Sequence, residues 1–239
     1  MTTHHLEYKH SNATLEAYVA HPEDVSKKLP AVIIMHAWAG RDHFVEKTAQ
    51  YYADKGYVGA ALDNYGKGIK GNSVEENSKL MTPLMEDRKF LAERLITGIE
   101  AIKALPYVDA KKIIVMGYCF GGLCALDVLR NAVEVTGIIS VHGLLGAPTQ
   151  YKPHYNSTTK VLALTGYNDP MVPPELTATF AHEMDQAKVD WQMVTYGNTQ
   201  HAFTNPEAHD INLGLIYNAN VAKRSTLAID NFIQECFTV

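Results

Sequence analysis

The chain alternates between short apolar runs rich in β-branched residues and longer stretches in which apolar residues recur at helical spacing. Short apolar runs bounded by turn-forming residues are typical of strands that are buried on both faces of a sheet. Helical stretches between such strands supply the crossover connections that a parallel sheet requires. The pattern predicts six such strands, at residues 31–36, 57–62, 112–116, 136–141, 161–165 and 191–196.

The stretches between these runs favour helices. Helical spacing predicts helices at residues 45–55, 84–105, 123–131, 174–187 and 218–237, and segments 6–8 and 14–20 predict an amino-terminal hairpin at the sheet edge. Segment 65–78 is rich in Gly, Lys, Asn and Ser and follows a strand, so it is either a loop that overhangs a pocket or a plain surface loop. We therefore expect one α/β domain over residues 1–239, with a mostly parallel central sheet flanked by helices on both faces.

Composition and charge exclude several classes of function. The chain is 46% hydrophobic, carries a formal net charge of -5 and has no long basic run, which argues against a nucleic-acid partner. Residues 1–10 lack the apolar core of a signal peptide, and no apolar run reaches the roughly 18 residues of a membrane span. We expect a soluble, cytoplasmic protein without a membrane partner. Its three cysteines make neither a disulfide framework nor a paired zinc motif.

The most informative motif is Gly117-Tyr118-Cys119-Phe120-Gly121, which lies between a predicted strand and a predicted helix. A nucleophile flanked by glycines in this context forms a sharp turn that lifts one side chain above the sheet. Here that side chain is Cys119, at a helix amino terminus that favours a thiolate. A free cysteine is more often a small buried apolar residue, and this is our interpretation of Cys124 and Cys236.

A nucleophile of this kind needs a base and a carboxylate that orients the base, and they follow it in the chain in the order acid, then base. Asp169 lies in the loop after the strand at 161–165, and His201 lies in the loop after the strand at 191–196. Taken alone, an aspartate before a proline is more often a turn residue, and one histidine among eleven is more often structural or solvated. Their joint placement behind the Cys119 turn predicts a Cys-His-Asp triad.

With these motifs the chain resembles the dienelactone hydrolase family over nearly its whole length. The resemblance also rests on His36-Ala37-Trp38-Ala39-Gly40, on Gly56-Tyr57 and on Leu62-Asp63-Asn64-Tyr65-Gly66. It implies an α/β-hydrolase fold and hydrolysis of a small ester or lactone through a thioester acyl-enzyme. It also implies an oxyanion hole built from the backbone N–H groups of Trp38 and Phe120. No cofactor is expected, because this chemistry uses only protein groups.

Several positions depart from the family pattern. Ala37 replaces a glutamate that helps to control ionisation of the thiol, and Lys67 and Asn205 stand where carboxylate-binding arginines are expected. An asparagine offers no charge and a lysine offers one point contact, so we expect weak selection for carboxylate-bearing lactones. Tyr65, Lys67, His142 and Asn205 remain candidates for contact with the substrate.

Three alternatives remain at this stage. His36, His142 and His201 suggest a metal site, but the sequence has no short-range ligand spacing such as HExxH, so we expect no metal and interpret His36 as bracing a loop. The missing glutamate and arginines are consistent with a non-catalytic binding module. A redox pair of Cys119 and Cys124 is disfavoured, because five residues on one helix place two side chains about 140° apart. The natural substrate and the oligomeric state stay open.

Overall fold

An eight-stranded sheet forms the centre of the molecule and contains all six predicted strands. The computed structural model describes residues 1–238. The strands are β1 (Thr2–His10), β2 (Ala13–His21), β3 (Leu29–Met35), β4 (Val58–Leu62), β5 (Val108–Tyr118), β6 (Gly137–Val141), β7 (Lys160–Gly166) and β8 (Asp190–Tyr196). Their spatial order is β1-β2-β4-β3-β5-β6-β7-β8.

Strands β3 to β8 run parallel, so their carboxyl ends meet at one edge of the sheet. The predicted hairpin is confirmed and is longer than expected: β1 pairs with β2, and β2 adds antiparallel to β4. This gives the mostly parallel sheet that the sequence predicts. Single-domain organisation stays a prediction, supported by strands that join one sheet from Thr2 through Tyr196.

Helices cover both faces of the sheet. They are α1 (His43–Asp54), α2 (Val74–Glu86), α3 (Arg88–Lys103), α4 (Phe120–Arg130), α5 (Pro174–Ala187) and α6 (Ala219–Thr238). In β3, Val32 and Ile34 pack with apolar residues of α1 and α6. Ala31, Ile33 and Met35 point to the other face, towards α3, α4 and α5. None of the described helices is both long enough and apolar enough to cross a bilayer.

The prediction of one helix over residues 84–105 is wrong, because the helix is interrupted at Asp87, between α2 and α3. The backbone of Asp87 leaves the helical region at φ -122° and ψ 77°, and its side chain caps α3 by accepting from the Phe90 amide. Helix α2 begins inside the expected loop: Ser73 accepts from the Glu76 amide, and the Glu76 carboxylate accepts from the Asn72 amide. This arrangement is close to a capping box and starts the helix before its apolar face becomes evident in the sequence.

Buried ion pairs connect α3, α4 and α5. The Asp127 carboxylate is fully buried and receives hydrogen bonds from the guanidinium of Arg88. Arg130 is also fully buried, and it pairs with Asp127 and binds both carboxylate oxygens of Glu183. Removing one partner from such a group leaves an uncompensated buried charge, which is far more costly than losing a surface pair.

We therefore expect Asp127→Asn to lower the free energy of unfolding by about 3–5 kcal/mol, because Arg88 and Arg130 lose the charge that they share. Urea denaturation measures the change. The exposed pair of Glu75 and Lys79 supplies the control, and Glu75→Gln should cost about 0.5 kcal/mol or less. Equal losses in the two variants would contradict a structural role for the buried network.

Candidate active site

Cys119 lies in a strained turn between β5 and α4. Its backbone angles are φ 55° and ψ -116°, a conformation that a residue with a side chain rarely adopts. The Cys119 amide donates to the carbonyl of Val141, and the Cys119 carbonyl accepts from the amides of Gly122 and Leu123. The turn is thus held from both sides, and Cys119 is the one partly exposed cysteine of the three.

Two glycines make this turn possible. A Cβ atom on Gly117 would lie 2.0 Å from the carbonyl oxygen of Gly121. A Cβ atom on Gly121 would lie 2.2 Å from the carbonyl oxygen of Met35, at the end of β3. The start of α4 therefore packs directly on the backbone of β3, and any side chain at either glycine would push these elements apart.

Asp169 and His201 come from neighbouring loops at the same edge of the sheet. The Asn168 amide donates to the carbonyl of Thr199, which joins the loop after β7 to the loop after β8. A Cβ atom on Gly166 would lie 2.4 Å from that same oxygen, so the close approach requires glycine. The His201 backbone is fixed further, because its amide donates to the Gly214 carbonyl and its carbonyl accepts from the Ile216 amide. Ile216 belongs to β10 (Leu215–Ile216), which pairs with β9 (His209–Asp210).

The two side chains form a buried hydrogen bond. Nδ1 of His201 lies 2.7 Å from Oδ2 of Asp169, and both side chains are fully buried. The other oxygen of Asp169 accepts from the Met171 amide, which fixes the orientation of the carboxylate. The remaining ring nitrogen of His201, Nε2, has no hydrogen-bond partner among the described residues.

The charge on His201 depends on Cys119 and Asp169. Burial lowers the pKa of His201, but the charge of a Cys119 thiolate and the hydrogen bond to Asp169 outweigh burial and raise the pKa to about 10. The thiol does not form a hydrogen bond of good geometry with Nε2, yet it lies near enough to act on the ring. A thiolate on Cys119 and the Asp169 carboxylate thus both favour the charged form of His201.

The loop after β3 is held by two side chains. Nδ1 of His36 lies 2.6 Å from the Ala37 carbonyl, and its Nε2 lies 3.1 Å from the Asn64 amide nitrogen. Burial lowers the pKa of His36, which fits an acceptor Nε2. Tyr65 donates its hydroxyl hydrogen to the carbonyl of Trp38. Tyr65 thus positions the loop and does not line the cavity, and the expected bracing role of His36 is confirmed.

The amides of Trp38 and Phe120 are available for a ligand. In the part of the chain that the structure describes, neither N–H donates to another backbone carbonyl. Phe120 is the first residue of α4, and the packing of Gly121 on Met35 brings this helix start beside the loop that carries Trp38. Free amides at a helix start favour an anionic oxygen.

His142 lines the cavity behind His201. Its ring meets the ring of His201 edge-on, with the centroids 5.1 Å apart, and its Nε2 lies 2.8 Å from the hydroxyl oxygen of Thr204. Burial, followed by the neighbouring His201, holds the pKa of His142 well below 6.5. His142 is therefore a neutral wall of the site.

Of the two residues that stand where carboxylate-binding arginines were expected, the structure brings only one to the cavity. Asn205 lines the cavity, and its side-chain oxygen accepts from the Glu207 amide. Lys67 does not line the cavity, because its ammonium group pairs with Glu7 and Glu16 of the β1–β2 hairpin. The structure therefore does not bring Lys67 to the site, and its charge is already balanced.

Cys119 and His201 open into a cavity of about 560 Å³. Sequence reasoning missed three groups at its lining: Asp42 and Phe44 at the start of α1, and the segment 207–210 after His201. Segment 207–210 has no regular periodicity, whereas Asp42 carries a helix-cap signal, since its side chain accepts from the Val45 amide. A second cavity, of about 330 Å³ between α1 and α6, contains neither cysteine nor histidine among its described lining residues.

Among residues 1–238, no group of three or more His, Cys, Asp or Glu side chains is placed to hold a metal ion. The three histidines considered from the sequence have other partners or surroundings: His36 contacts loop backbone, His142 contacts Thr204, and His201 contacts Asp169. The arrangement at this edge is instead that of a thiol, a base and a buried carboxylate.

Comparisons with known proteins point to one family. The chain matches the sequence profile of the dienelactone hydrolase family over residues 15–237. It is 26% identical over 211 residues to an Aquifex aeolicus protein named "Putative carboxymethylenebutenolidase", covering 86% of this chain and 89% of that protein. It is 27% identical over 197 residues to a Bradyrhizobium protein named "Probable 2-oxo-3-(5-oxofuran-2-ylidene)propanoate lactonase", covering 78% of each.

Solved structures agree with the sequence comparisons. The dienelactone hydrolase-like promiscuous phosphotriesterase P91, from metagenomic libraries, superposes with a TM-score of 0.90 and 27% sequence identity, and the match covers 98% of each chain. The fold is therefore the α/β-hydrolase fold. The chain belongs to the dienelactone hydrolase family and is a carboxylic ester or lactone hydrolase.

Proposed function

We propose that this enzyme cleaves a small carboxylic ester or lactone by nucleophilic catalysis, with Cys119 as nucleophile, His201 as acid and base, and Asp169 as the residue that orients His201. The observation that carries the proposal is the buried Asp169–His201 pair, whose free Nε2 shares a cavity with the strained Cys119. A nucleophile, a base and an orienting group at this spacing are the parts that acyl transfer needs.

Acylation begins from a thiolate on Cys119 and an imidazolium on His201, whose charge the Asp169 hydrogen bond supports. The Cys119 sulfur attacks the carbonyl carbon, and the carbonyl electron pair moves to oxygen. As the tetrahedral intermediate collapses, Nε2–H of His201 protonates the departing alcohol oxygen and the C–O bond breaks. The product is a thioester on Cys119, with neutral His201. For a lactone, the alcohol stays attached to the acyl group.

The tetrahedral oxyanion requires donors that are in place before the reaction. The amides of Trp38 and Phe120 are free and lie at the end of β3 and the start of α4. Fixed donors aimed at a developing charge stabilise the transition state without reorganisation, and one such donor contributes about 3–4 kcal/mol. Tyr65 and His36 support this role, because their hydrogen bonds hold the Trp38 loop.

Deacylation reverses these roles. Neutral His201 takes a proton from water, and the resulting hydroxide attacks the thioester carbonyl. The intermediate then expels the Cys119 thiolate and releases the carboxylic acid. Asp169 steadies the imidazolium, which forms once in each cycle, when His201 takes the proton from water. No step requires a cofactor.

A cavity of about 560 Å³ suits a small-molecule substrate. The names of the Aquifex and Bradyrhizobium relatives support a lactone or a related small ester as substrate. A cytoplasmic location and the absence of a nucleic-acid partner stay predictions. The alternative of a non-catalytic binding module is disfavoured, because Cys119, Asp169 and His201 are all present and lie at one edge of the sheet.

Iodoacetamide should alkylate Cys119 selectively and abolish esterase activity. Burial raises the pKa of Cys124 well above 9.0 and that of Cys236 to about 12, so both are poor nucleophiles near neutral pH, whereas Cys119 is partly exposed beside His201. Peptide mass mapping after partial labelling gives the site, and residual turnover of an aryl ester should fall in proportion.

The matched control is Cys236→Ala, which should keep both the labelling of Cys119 and the coupled loss of activity. Faster labelling of Cys124 or Cys236 in the wild-type protein contradicts the assignment of Cys119. Full turnover after Cys119 is blocked contradicts it as well.

His201→Ala and Asp169→Asn should each lower kcat strongly while the double variant is little worse than the poorer single variant. Residues of one relay act as a unit, with losses of about 10³-fold or more for each member. Steady-state kinetics on an activated ester measure the effect, and thermal unfolding shows whether each variant remains folded.

His182→Ala provides the comparison, because His182 lies on α5 and its ring contacts Gln186. Its kcat should match that of the wild type. If the losses in His201→Ala and Asp169→Asn multiply in the double variant, the two residues do not belong to one relay.

A further inference from the structure

We propose that the active cavity is built for esters that carry a positively charged group, such as a quaternary ammonium. This inference rests on the proposed function and names the substrate class of the same site. Its basis is the sign of the charges around the cavity, together with the aromatic side chains that line it.

Three carboxylates line the cavity: Asp42, Glu207 and Asp210. Asp42 uses one oxygen to cap α1, and Asp210 uses one oxygen to accept from the Leu213 amide. Each therefore retains an oxygen that can face a ligand. Among the described residues that line the cavity there is neither lysine nor arginine, and the positive charge that the proposed mechanism places on His201 is paired with the Asp169 carboxylate and the Cys119 thiolate.

Two basic residues near the β1–β2 hairpin form ion pairs outside the cavity. Lys67 pairs with Glu7 and Glu16. Arg41, which directly precedes Asp42, pairs with Glu16 and Glu46. Both cations are thus held by carboxylates outside the cavity. A carboxylate-bearing substrate would meet repulsion at Glu207 and Asp210, with no lysine or arginine among the described lining residues.

Two further observations support the binding of a ligand in this charged cavity. Nε2 of His201 is buried and has no partner among the described residues, and it belongs to a side chain that lines the same space. Trp38, Phe44 and Tyr118 also line the cavity. The faces of such rings attract cations, and aromatic surfaces next to carboxylates are a known way to recognise quaternary ammonium groups.

Glu207 and Asp210 are exposed, so solvent and salt weaken their effect. A pair of unit charges about 4 Å apart in water changes an equilibrium by about fivefold, and several such charges act together on one ligand. We therefore expect a preference of about threefold to tenfold for a cationic ester over its neutral isostere, decreasing as salt is added.

The experiment compares kcat/KM for isosteric esters that differ in one atom. One pair places the group on the acyl side: the p-nitrophenyl ester of a trimethylammonium-terminated butanoate and the corresponding tert-butyl-terminated ester. The other pair places it on the alcohol side: a choline ester and its dimethylbutyl counterpart. Each rate is divided by the rate of hydroxide-catalysed hydrolysis of the same ester, and Cys119→Ala protein gives the blank.

The wild type should prefer the cationic ester in at least one pair at about 20 mM salt, and the preference should fall towards one at about 500 mM salt. In the double variant Glu207→Gln, Asp210→Asn, the ratio for that pair should fall at least threefold. The control is Glu134→Gln, which removes the same charge just before β6, at the opposite edge of the sheet from Cys119, and should leave the ratio unchanged.

Failure of this inference is distinguishable from failure of the proposed function. If neutral esters are turned over through Cys119 but both cation-to-neutral ratios are one or less, the cationic substrate class is wrong and the nucleophile stands. The same conclusion follows if the double variant keeps the wild-type ratio. If Cys119→Ala protein hydrolyses the neutral esters as fast as the wild type, the proposed function itself is wrong.

Discussion

The strained backbone at Cys119 is the constraint on which the proposed catalytic edge depends. Gly117 and Gly121 allow β5 to turn directly into α4, and the absence of a side chain on Gly121 lets the helix start rest on the carbonyl of Met35. One close backbone contact therefore exposes the thiol, points it at a helix amino terminus and brings the Phe120 amide beside the loop of Trp38. Strain of this kind is maintained only where the surrounding structure enforces it.

A second close contact between backbone segments positions His201, the proposed base. Because Gly166 has no side chain, the loop after β7 can touch the backbone of Thr199, and this contact places Asp169 beside His201. Both partners are buried, so removing either would leave the other without its hydrogen-bond partner in a site that excludes water.

The sequence predicted the parts of the site that a short motif can specify. Cys119 could be found because glycines flank it between a strand and a helix, and Asp169 and His201 because each follows a buried strand. The position of Lys67 could not be predicted from the sequence, since its partner Glu7 lies 60 residues away along the chain, on the β1–β2 hairpin. Helix α2 was not predicted, because its start depends on capping by Ser73 and Glu76. The segment 207–210 was not predicted either, because a strand of two residues leaves no periodic pattern in the sequence.

If catalysis proceeds through a thioester on Cys119, the acyl-enzyme can be trapped. Wild-type protein is mixed with an activated ester, quenched in acid within milliseconds and analysed by intact and peptide mass spectrometry. We expect one added acyl group, located on Cys119, that neutral hydroxylamine removes and that Cys119→Ala protein never forms. An acyl group on another residue, or undiminished turnover by Cys119→Ala protein, would rule out Cys119 as the nucleophile.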